Sequence, residues 1–452
     1  MSDAVHTFLS IDLLPLLAAT LAAFSCGLLG NFLVLRRLSL MGDAISHAVL
    51  PGLVIAFLLF GTRASLAMFV GAAVAGVATV ALVELIRRFG RVEPGAAMGV
   101  VFSVLFALGV LLLEQAAARN VDLDADCVLH GQLETLFWVA PREWSALFSL
   151  DWLREVPRQV VTLAIVAAVS LAFVAALFKE LRIAAFDPGL ATTQGIPAGA
   201  VNGLLMVLVA AATVASFEAV GSILVVAMLV CPAATARMLT DRLLPQVVVS
   251  AIVAAATAIL GYGAASLLPH WLGLAGSVNA AGAMTVTAGV LLTIAVIAAP
   301  RHGVLARAVR RRRLATQVQV EDLLGALFRK AESGAAGTTV PTATPHRASL
   351  HAARIARRRG LVSGDGPTLD LTPAGRRVAA GLIRRHRLWE AFLVDEAGWR
   401  SDHVHEAAET LEHLRDVRRQ PLVPGIAPDR DPHGRSIPGG ADPARPRSED
   451  SA

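Results

Sequence analysis

This sequence predicts an all-α, polytopic membrane protein of eight or nine transmembrane helices, followed by a small, mostly helical domain. Three observations carry the prediction. Of 452 residues, 55% are hydrophobic and 17% charged, where an ordinary soluble chain has about 25% charged residues. The apolar residues lie almost entirely before Pro300, in recurring runs long enough to cross a bilayer, about 17–25 residues each. After Arg301 the composition turns to Arg, Asp, Glu and His, so a membrane part gives way to a soluble one.

In order, the runs fall near 13–35, 45–61, 65–86, 95–113, 160–178, 200–216, 219–238, 246–268 and 278–299. Little separates the two between 200 and 238, and a re-entrant or broken helix there would reduce the count from nine to eight. The first run lacks a basic n-region and a small-residue cleavage site, so a retained span is expected rather than a signal peptide. Small residues are dense, as in GAAVAGVA at 71–78, and such residues let helices approach closely in lipid.

Charge sets the orientation. Arg36 and Arg37, then Arg87, Arg88 and Arg91, then Lys179 and Arg182, then Arg237 and Arg242, and finally Arg301–Arg313 mark alternate span ends. These ends are expected in the cytoplasm, which with nine spans puts the N-terminus outside and the C-terminus inside. Arg154 and Arg158 fall on the other side, in the longest loop, where the rule is weaker. The net charge of +5 owes much to RHGVLARAVRRRR at 301–313. Directly after a span, such a run reads as an anchor on anionic membrane lipid. Cys26, Cys127 and Cys231 show no metal-like spacing and no disulfide framework.

The expected organisation is a transmembrane domain at 1–300, a basic juxtamembrane linker at 301–317, a helical domain at 318–420 and a disordered tail at 421–452. Within the soluble part, 318–332 has helical periodicity, and SGAAGTTVPTATP is a flexible connection. A second helix is expected over 346–360, then a turn and a short strand. Thr372 before Pro373 is an N-cap with proline at the first helical position, starting a helix to about Asp395. Another is expected around 403–415.

Two groups of residues carry chemistry. In GNFLVLRRLSLMGDAISHAVLPG at 30–52, Asp43 and His47 are spaced i, i+4 and share one helix face. A carboxylate and an imidazole there suit a borderline divalent cation. Alternatively, Asp43 caps the helix and His47 makes an internal hydrogen bond. Pro51 and Gly52 are expected to kink or open this helix. Between two spans, Glu218 is either a solvated turn residue at the outer interface or a gate ligand. The outer-loop Asp122, Asp124, Asp126 and His130 are read as solvated surface before metal recruitment.

The segment RRLSLMGDAISHAVLPG resembles the signature of the ABC-3 manganese/zinc/iron permeases. The resemblance continues in FDPGLATTQGIP at 186–197 and EAVGSILVVAMLVCPAATARMLTDRL at 218–243. It implies a type II ABC importer-like fold in a bacterial inner membrane, with Asp43 and His47 holding the metal in transit. The substrate implied is a divalent metal ion, manganese before zinc or iron. The partners implied are a cytoplasmic ABC ATPase, an extracytoplasmic metal-binding protein and a second permease chain, like or unlike. No G-x-x-x-x-G-K-[ST] occurs, so this chain is expected to bind no ATP and to be no enzyme. Coupling to the ATPase is assigned to CPAATARMLTDRL at 231–243, with Pro232 as a breaker and Arg237, Asp241 and Arg242 facing the partner. The second candidate is 186–197.

The second group lies at 371–414, LTPAGRRVAAGLIRRHRLWEAFLVDEAGWRSDHVHEAAETLEHL. His405, Glu409, Glu412 and His413 recur on one helical face, and His386 with Glu390 makes another i, i+4 pair. A solvated helix with ordinary charge pairs is the alternative. This stretch is similar to the metal-dependent repressors of the diphtheria-toxin-repressor and manganese-repressor type. That similarity implies a main metal site of His386, Glu409, Glu412 and His413, and a second using Glu390 and His405. Asp322 matches a further ligand position, while Gly325 stands where the manganese type has a carboxylate. An oxygen and imidazole set suits a regulatory manganese. Between about 332 and 346 there is no room for the first helix of a helix-turn-helix, so a truncated winged-helix remnant is expected and DNA binding is not. A metal-import permease with a cytoplasmic sensing tail is therefore the expected function. The competing one is a membrane-anchored, metal-responsive regulator that does not transport.

Overall fold

The computed structural model describes residues 8–60, 65–117, 133, 136, 156–273, 278–334, 346–364, 368–413 and 429–438. The outer-loop residues Asp122, Asp124, Asp126 and His130 lie outside the described residues. The chain divides into two compact units, Met1–Ala306 and Arg307–Ala452.

The first unit is a helical bundle. After a short π-helical turn at Phe8–Asp12 come α1 (Leu13–Leu35), α2 (Met41–Phe60), α3 (Ser65–Gly90), α4 (Pro94–Ala117) and α5 (Arg158–Ala176). Two short helices follow, α6 (Phe178–Phe186) and α7 (Pro188–Thr193), then α8 (Ala198–Val220), α9 (Ser222–Leu239), α10 (Leu243–Leu272) and α11 (Ala280–Ala298). Nine helices among the described residues are long and apolar enough to span a bilayer. Gly221, at φ +79°, is the one residue between α8 and α9, and each of those helices is long enough to count as a span of its own. The left-handed conformation that turns the chain there costs glycine little.

The central helix is α1, which packs against α5, α8, α9 and α10 and buries Ala18, Ala22, Cys26, Leu29 and Phe32. Its low amphipathicity follows from being covered on most sides. Glycine permits the closest crossings. A Cβ at Gly30 would overlap the backbone carbonyl of Leu229 on α9, and one at Gly52 of α2 would overlap that of Gly71 on α3. Asn31, fully buried, accepts from Gln246 Nε2 of α10 at 3.1 Å, and Ser250 donates to Gly27 O at 2.9 Å. These polar bonds fix α1 against α10 where an unpaired amide would be costly.

Neither proline ends its helix, so the expected opening at Pro51 and break at Pro232 are corrected. Helix α2 runs unbroken through Pro51, and α9 runs through a buried Pro232. A proline removes one donor and leaves the helix continuous where tight neighbours hold it. Here Pro51 abuts Gly109 of α4, and Pro232 lies beside Gly27 of α1.

The residues expected as a linker at 301–317 largely belong to one long helix, α12 (Val304–Glu332). The second unit continues with α13 (His346–Arg358), the antiparallel pair β1 (Val362–Ser363) and β2 (Asp370–Leu371), then α14 (Pro373–Asp395) and α15 (His405–Leu411). Val320, Leu324 and Leu327 of α12 form its core with Ala352, Ala356, Val362, Leu369 and Ala379. Thr372 caps α14: its hydroxyl accepts from Gly375 N at 3.1 Å and donates to Gly360 O at 2.7 Å.

The tail expected to be disordered from 421 is corrected at 429–438. Arg430 and Ser436 form a β-bridge, and Asp431 lies 3.5 Å from the buried Arg387 of α14. Arg384 donates to Pro438 O at 2.8 Å. The segment is short and polar, and the arginines of α14 hold it through its acid and its carbonyls.

Candidate functional site

In the first unit, Asp43 stands in the first turn of α2 and His47 one turn later, with Nε2 3.4 Å from Asp43 Oδ1. Phe102 and Phe106 of α4 flank the imidazole at 5.2 and 5.8 Å between ring centroids, an aromatic wall that limits its rotation. The Asp43 side chain is 41% exposed and that of His47 30% on this chain alone. The pair thus presents one carboxylate and one imidazole outward from a bilayer-spanning helix, where ionisable groups mark ion pathways. Glu218 lies half-buried in the last turn of α8, three residues before the Gly221 turn.

Of the residues assigned to coupling, Pro232 is in the body of α9, away from any loop. Only Thr240–Arg242 separates α9 from α10. Arg237 is half-buried in the last turn of α9 and Arg242 is exposed. Asp241 does not face outward unengaged. His302 lies 2.7 Å and Arg301 3.4 Å from its carboxylate, and the His302 bond, more than Arg301, holds its pKa below the usual carboxylate range. The second candidate, 186–197, is a better-formed surface element. Asp187 caps α7 by accepting from Leu190 N at 2.9 Å. The segment leaves Phe186 and Leu190 exposed.

The second unit assembles the histidines and acids differently from the sequence-implied grouping. His386 and Glu390 of α14 meet His405 of α15. His386 Nε2 lies 3.2 Å from Glu390 Oε1, and His405 Nδ1 lies 2.9 Å from it. Asp322 of α12 meets Glu412 and His413, with 3.1 Å between His413 Nε2 and Asp322 Oδ1. Each trio offers ligand atoms within 4.8 Å of one another. Glu412 touches both, with Oε2 2.6 Å from His386 Nδ1 and Oε1 3.8 Å from His413 Nε2.

Glu409, implied as a main-site ligand, joins neither trio in this structure. On α15, Ala408 and Glu412 face inward at i, i+4, and Glu409, one step of about 100° round the helix, is exposed. Two residues were missed. Glu321 is 2% exposed and lies 2.9 Å from His413 Nδ1. Its signal was an acid flanked by Val320, Leu323 and Leu324, all core positions. His433, from the segment expected to be disordered, reaches within 3.9 Å of Glu390.

The electrostatics are those of a buried charge cluster. Burial opposes the charge of His386, but the carboxylates of Glu390 and Glu412 outweigh it and hold the pKa up at about 9. Burial raises Glu390, but His386 and His405 bring it down to about 2. Asp322 and then Glu321 push His413 up to about 9 against burial. The residues present fit a metal ion. His386 Nδ1 and Glu412 Oε2 are buried and 2.6 Å apart, so an ion entering there would take both as donors in place of the proton they share. Mixed nitrogen and oxygen donors suit a divalent transition ion.

Nine helices of bilayer length among the described residues, closely crossed through glycine, with a carboxylate–imidazole pair on one of them, are the architecture of a polytopic membrane protein. The sequence matches the ABC 3 transport family over residues 13–137 and 151–298, and the chain belongs to that family. Residues 372–439 match the iron dependent repressor metal binding and dimerisation domain. The chain is 40% identical over 290 residues to the manganese transport system membrane protein MntD of Bacillus subtilis (strain 168), covering 64% of this chain and 92% of that protein. It is 37% identical over 370 residues to the zinc transport system membrane protein TroD of Treponema pallidum (strain Nichols), covering 80% and 96%. Among solved structures it resembles PsaBC from Streptococcus pneumoniae in complex with Fab, at 30% identity and a TM-score of 0.50, covering 64% of this chain and 92% of that one.

Proposed function

We propose that this chain is the permease subunit of an ABC importer for a divalent transition metal, manganese before zinc or iron, driven by a separate cytoplasmic ATPase and fed by an extracytoplasmic metal-binding protein. The observation that carries the reading is the Asp43–His47 pair, 3.4 Å apart on a spanning helix and open on one side. Two side chains are too few for a transition ion, which takes about four to six ligands in tetrahedral or octahedral sites, two to three times what one pair supplies. A second permease chain, bringing its own ligands to the exposed side, completes the set. The similarity to manganese and zinc transport proteins supports the metal class.

The ATPase contact belongs on the 186–197 segment with Arg237 and Arg242, because this segment, built on the short, capped α7, leaves Phe186 and Leu190 uncovered. Glu218 serves as a gate ligand at the far end of α8. In the cytoplasm the second unit senses the same metal. His386, Glu390 and His405 hold one ion, and Asp322, Glu412 and His413 hold another, with Glu321 and His433 behind them. Bound metal supplies charge neutralisation for these buried acids. The protein residues join α12, α14 and α15 and order them together.

Radiometal uptake in cells expressing this chain with its ATPase tests the transport reading. Uptake should disappear in Asp43→Ala and in His47→Ala at equal membrane expression. Wild-type uptake in both variants would favour the competing reading of a membrane-anchored regulator, for which the buried ligand clusters alone would suffice.

A further inference from the structure

A cavity of about 520 Å³ opens where the ends of α1 and α3 and the starts of α2 and α8 converge, apart from the Asp43–His47 pair. Its charged wall is Arg36, Arg87 and Arg88, opposed by Glu84 alone, and Asn202 adds an amide. Its apolar wall includes Val80 and Met206. Glu84 is committed to Arg87, at 2.9 Å, which leaves two guanidinium groups in excess. Arg36 Nη1 is buried with no hydrogen-bond partner among the described residues, and an orphaned buried donor is costly. Burial first, and then the neighbouring Arg87, lowers the Arg36 pKa, with Glu84 offsetting part of the effect. The backbone that presents this arginine is itself strained. Arg37 adopts φ +58° and closes α1 with bonds from its own N to Val34 O and from Leu38 N to Leu33 O, a position where glycine is usual.

We propose that this cavity binds the phosphate of an anionic phospholipid, with Arg36 and Arg88 on the phosphate and the start of an acyl chain against Val80 and Met206. Three features of the site select that ligand. A phosphate diester satisfies the orphaned Nη1 and the excess charge. The apolar wall has no use for a soluble ion. By the charge pattern of the span ends the cavity lies at the cytoplasmic headgroup level, where basic pockets between helices take anionic headgroups.

The test uses the full chain in nanodiscs of phosphatidylcholine, alone and doped with phosphatidylglycerol, followed by thermal midpoint and by native mass spectrometry of retained lipid. Phosphatidylglycerol should raise the midpoint and leave one retained lipid per chain. Arg36→Gln should weaken the response about tenfold in lipid concentration, the loss expected for one charge-assisted bond. Arg88→Gln, on an exposed residue that tolerates substitution, should do the same should Arg36→Gln fail to fold. Arg377→Gln, exposed on α14 and outside both the cavity and the basic 301–313 run, should leave the response unchanged. An equal response to both lipids, or an undiminished one in Arg36→Gln and Arg88→Gln, overturns the proposal. So does a shift produced by inorganic phosphate in phosphatidylcholine alone and not by phosphatidylglycerol. Loss of ATPase association in Arg36→Gln with an intact lipid response would reassign the cavity to protein docking and overturn it equally.

Discussion

If His386 and His413 are metal ligands, each must lose a proton before it can donate to an ion, so metal binding in the second unit should strengthen steeply with pH. Both are held at about 9 by surrounding carboxylates, and both are therefore protonated across the neutral range. Between pH 6.5 and 8.5 each trio exchanges one proton for its ion. The affinity per trio should then rise about tenfold per pH unit, a hundredfold over the interval, or about 2.7 kcal/mol. The perturbation that isolates the effect is Glu390→Gln. It removes the carboxylate that His386 and His405 share, lets the His386 pKa fall, and should flatten the slope for that trio while weakening it overall. Manganese titrations by calorimetry, in buffers of different ionisation enthalpy, count the protons directly. The full chain should carry Asp43→Ala and His47→Ala, so that the membrane pair does not contribute. An affinity independent of pH over this range, or binding without proton release, would refute the reasoning, because these histidines could not then be both charged in the free protein and ligands in the bound one.

Other outcomes follow from the same contacts. Without metal, the raised His386 pKa makes its contribution to stability full below its unfolded value near 6.5 and lost as pH rises through about 9; a thermal-midpoint profile that climbs over that window would contradict it. Glu412→Ala should abolish metal-induced stabilisation of both trios, whereas Glu409→Ala should leave it intact, read as the midpoint shift on adding manganese. Charge reversal at Arg237 and Arg242 together, or Leu190→Asp on α7, should lower ATP hydrolysis stimulated by the permease, and unchanged hydrolysis in both would move the coupling contact elsewhere. Gly30→Ala should sharply reduce the yield of folded protein in detergent, because its Cβ would overlap the Leu229 carbonyl. Thr372→Ala should cost the second unit about 1 kcal/mol, the usual worth of an N-cap, measured by denaturant unfolding.

The sequence by itself determined the membrane architecture. Nine apolar runs of bilayer length, separated by arginines at alternate ends, leave few other folds open, because backbone in lipid must satisfy its hydrogen bonds within helices. The i, i+4 spacing put Asp43 and His47 on one face, and Thr372–Pro373 marked a helix start, since these relations span a turn or less of chain. What required tertiary structure were relations between segments distant in sequence. Pro232 read locally as a breaker, yet α9 continues through it where it packs beside Gly27 of α1. Glu409 matched a ligand position by sequence, but the rotation of α15 turns it to solvent and brings Glu412 inward. His405 joined the His386–Glu390 pair because α14 and α15 pack together, and Glu321 reached His413 across 92 positions of chain. Arg36 looked like one more positive-inside marker until α3 placed Arg87 and Arg88 around the same cavity. Local periodicity fixes which face a side chain occupies. Only the packing of one helix on another decides what that face meets.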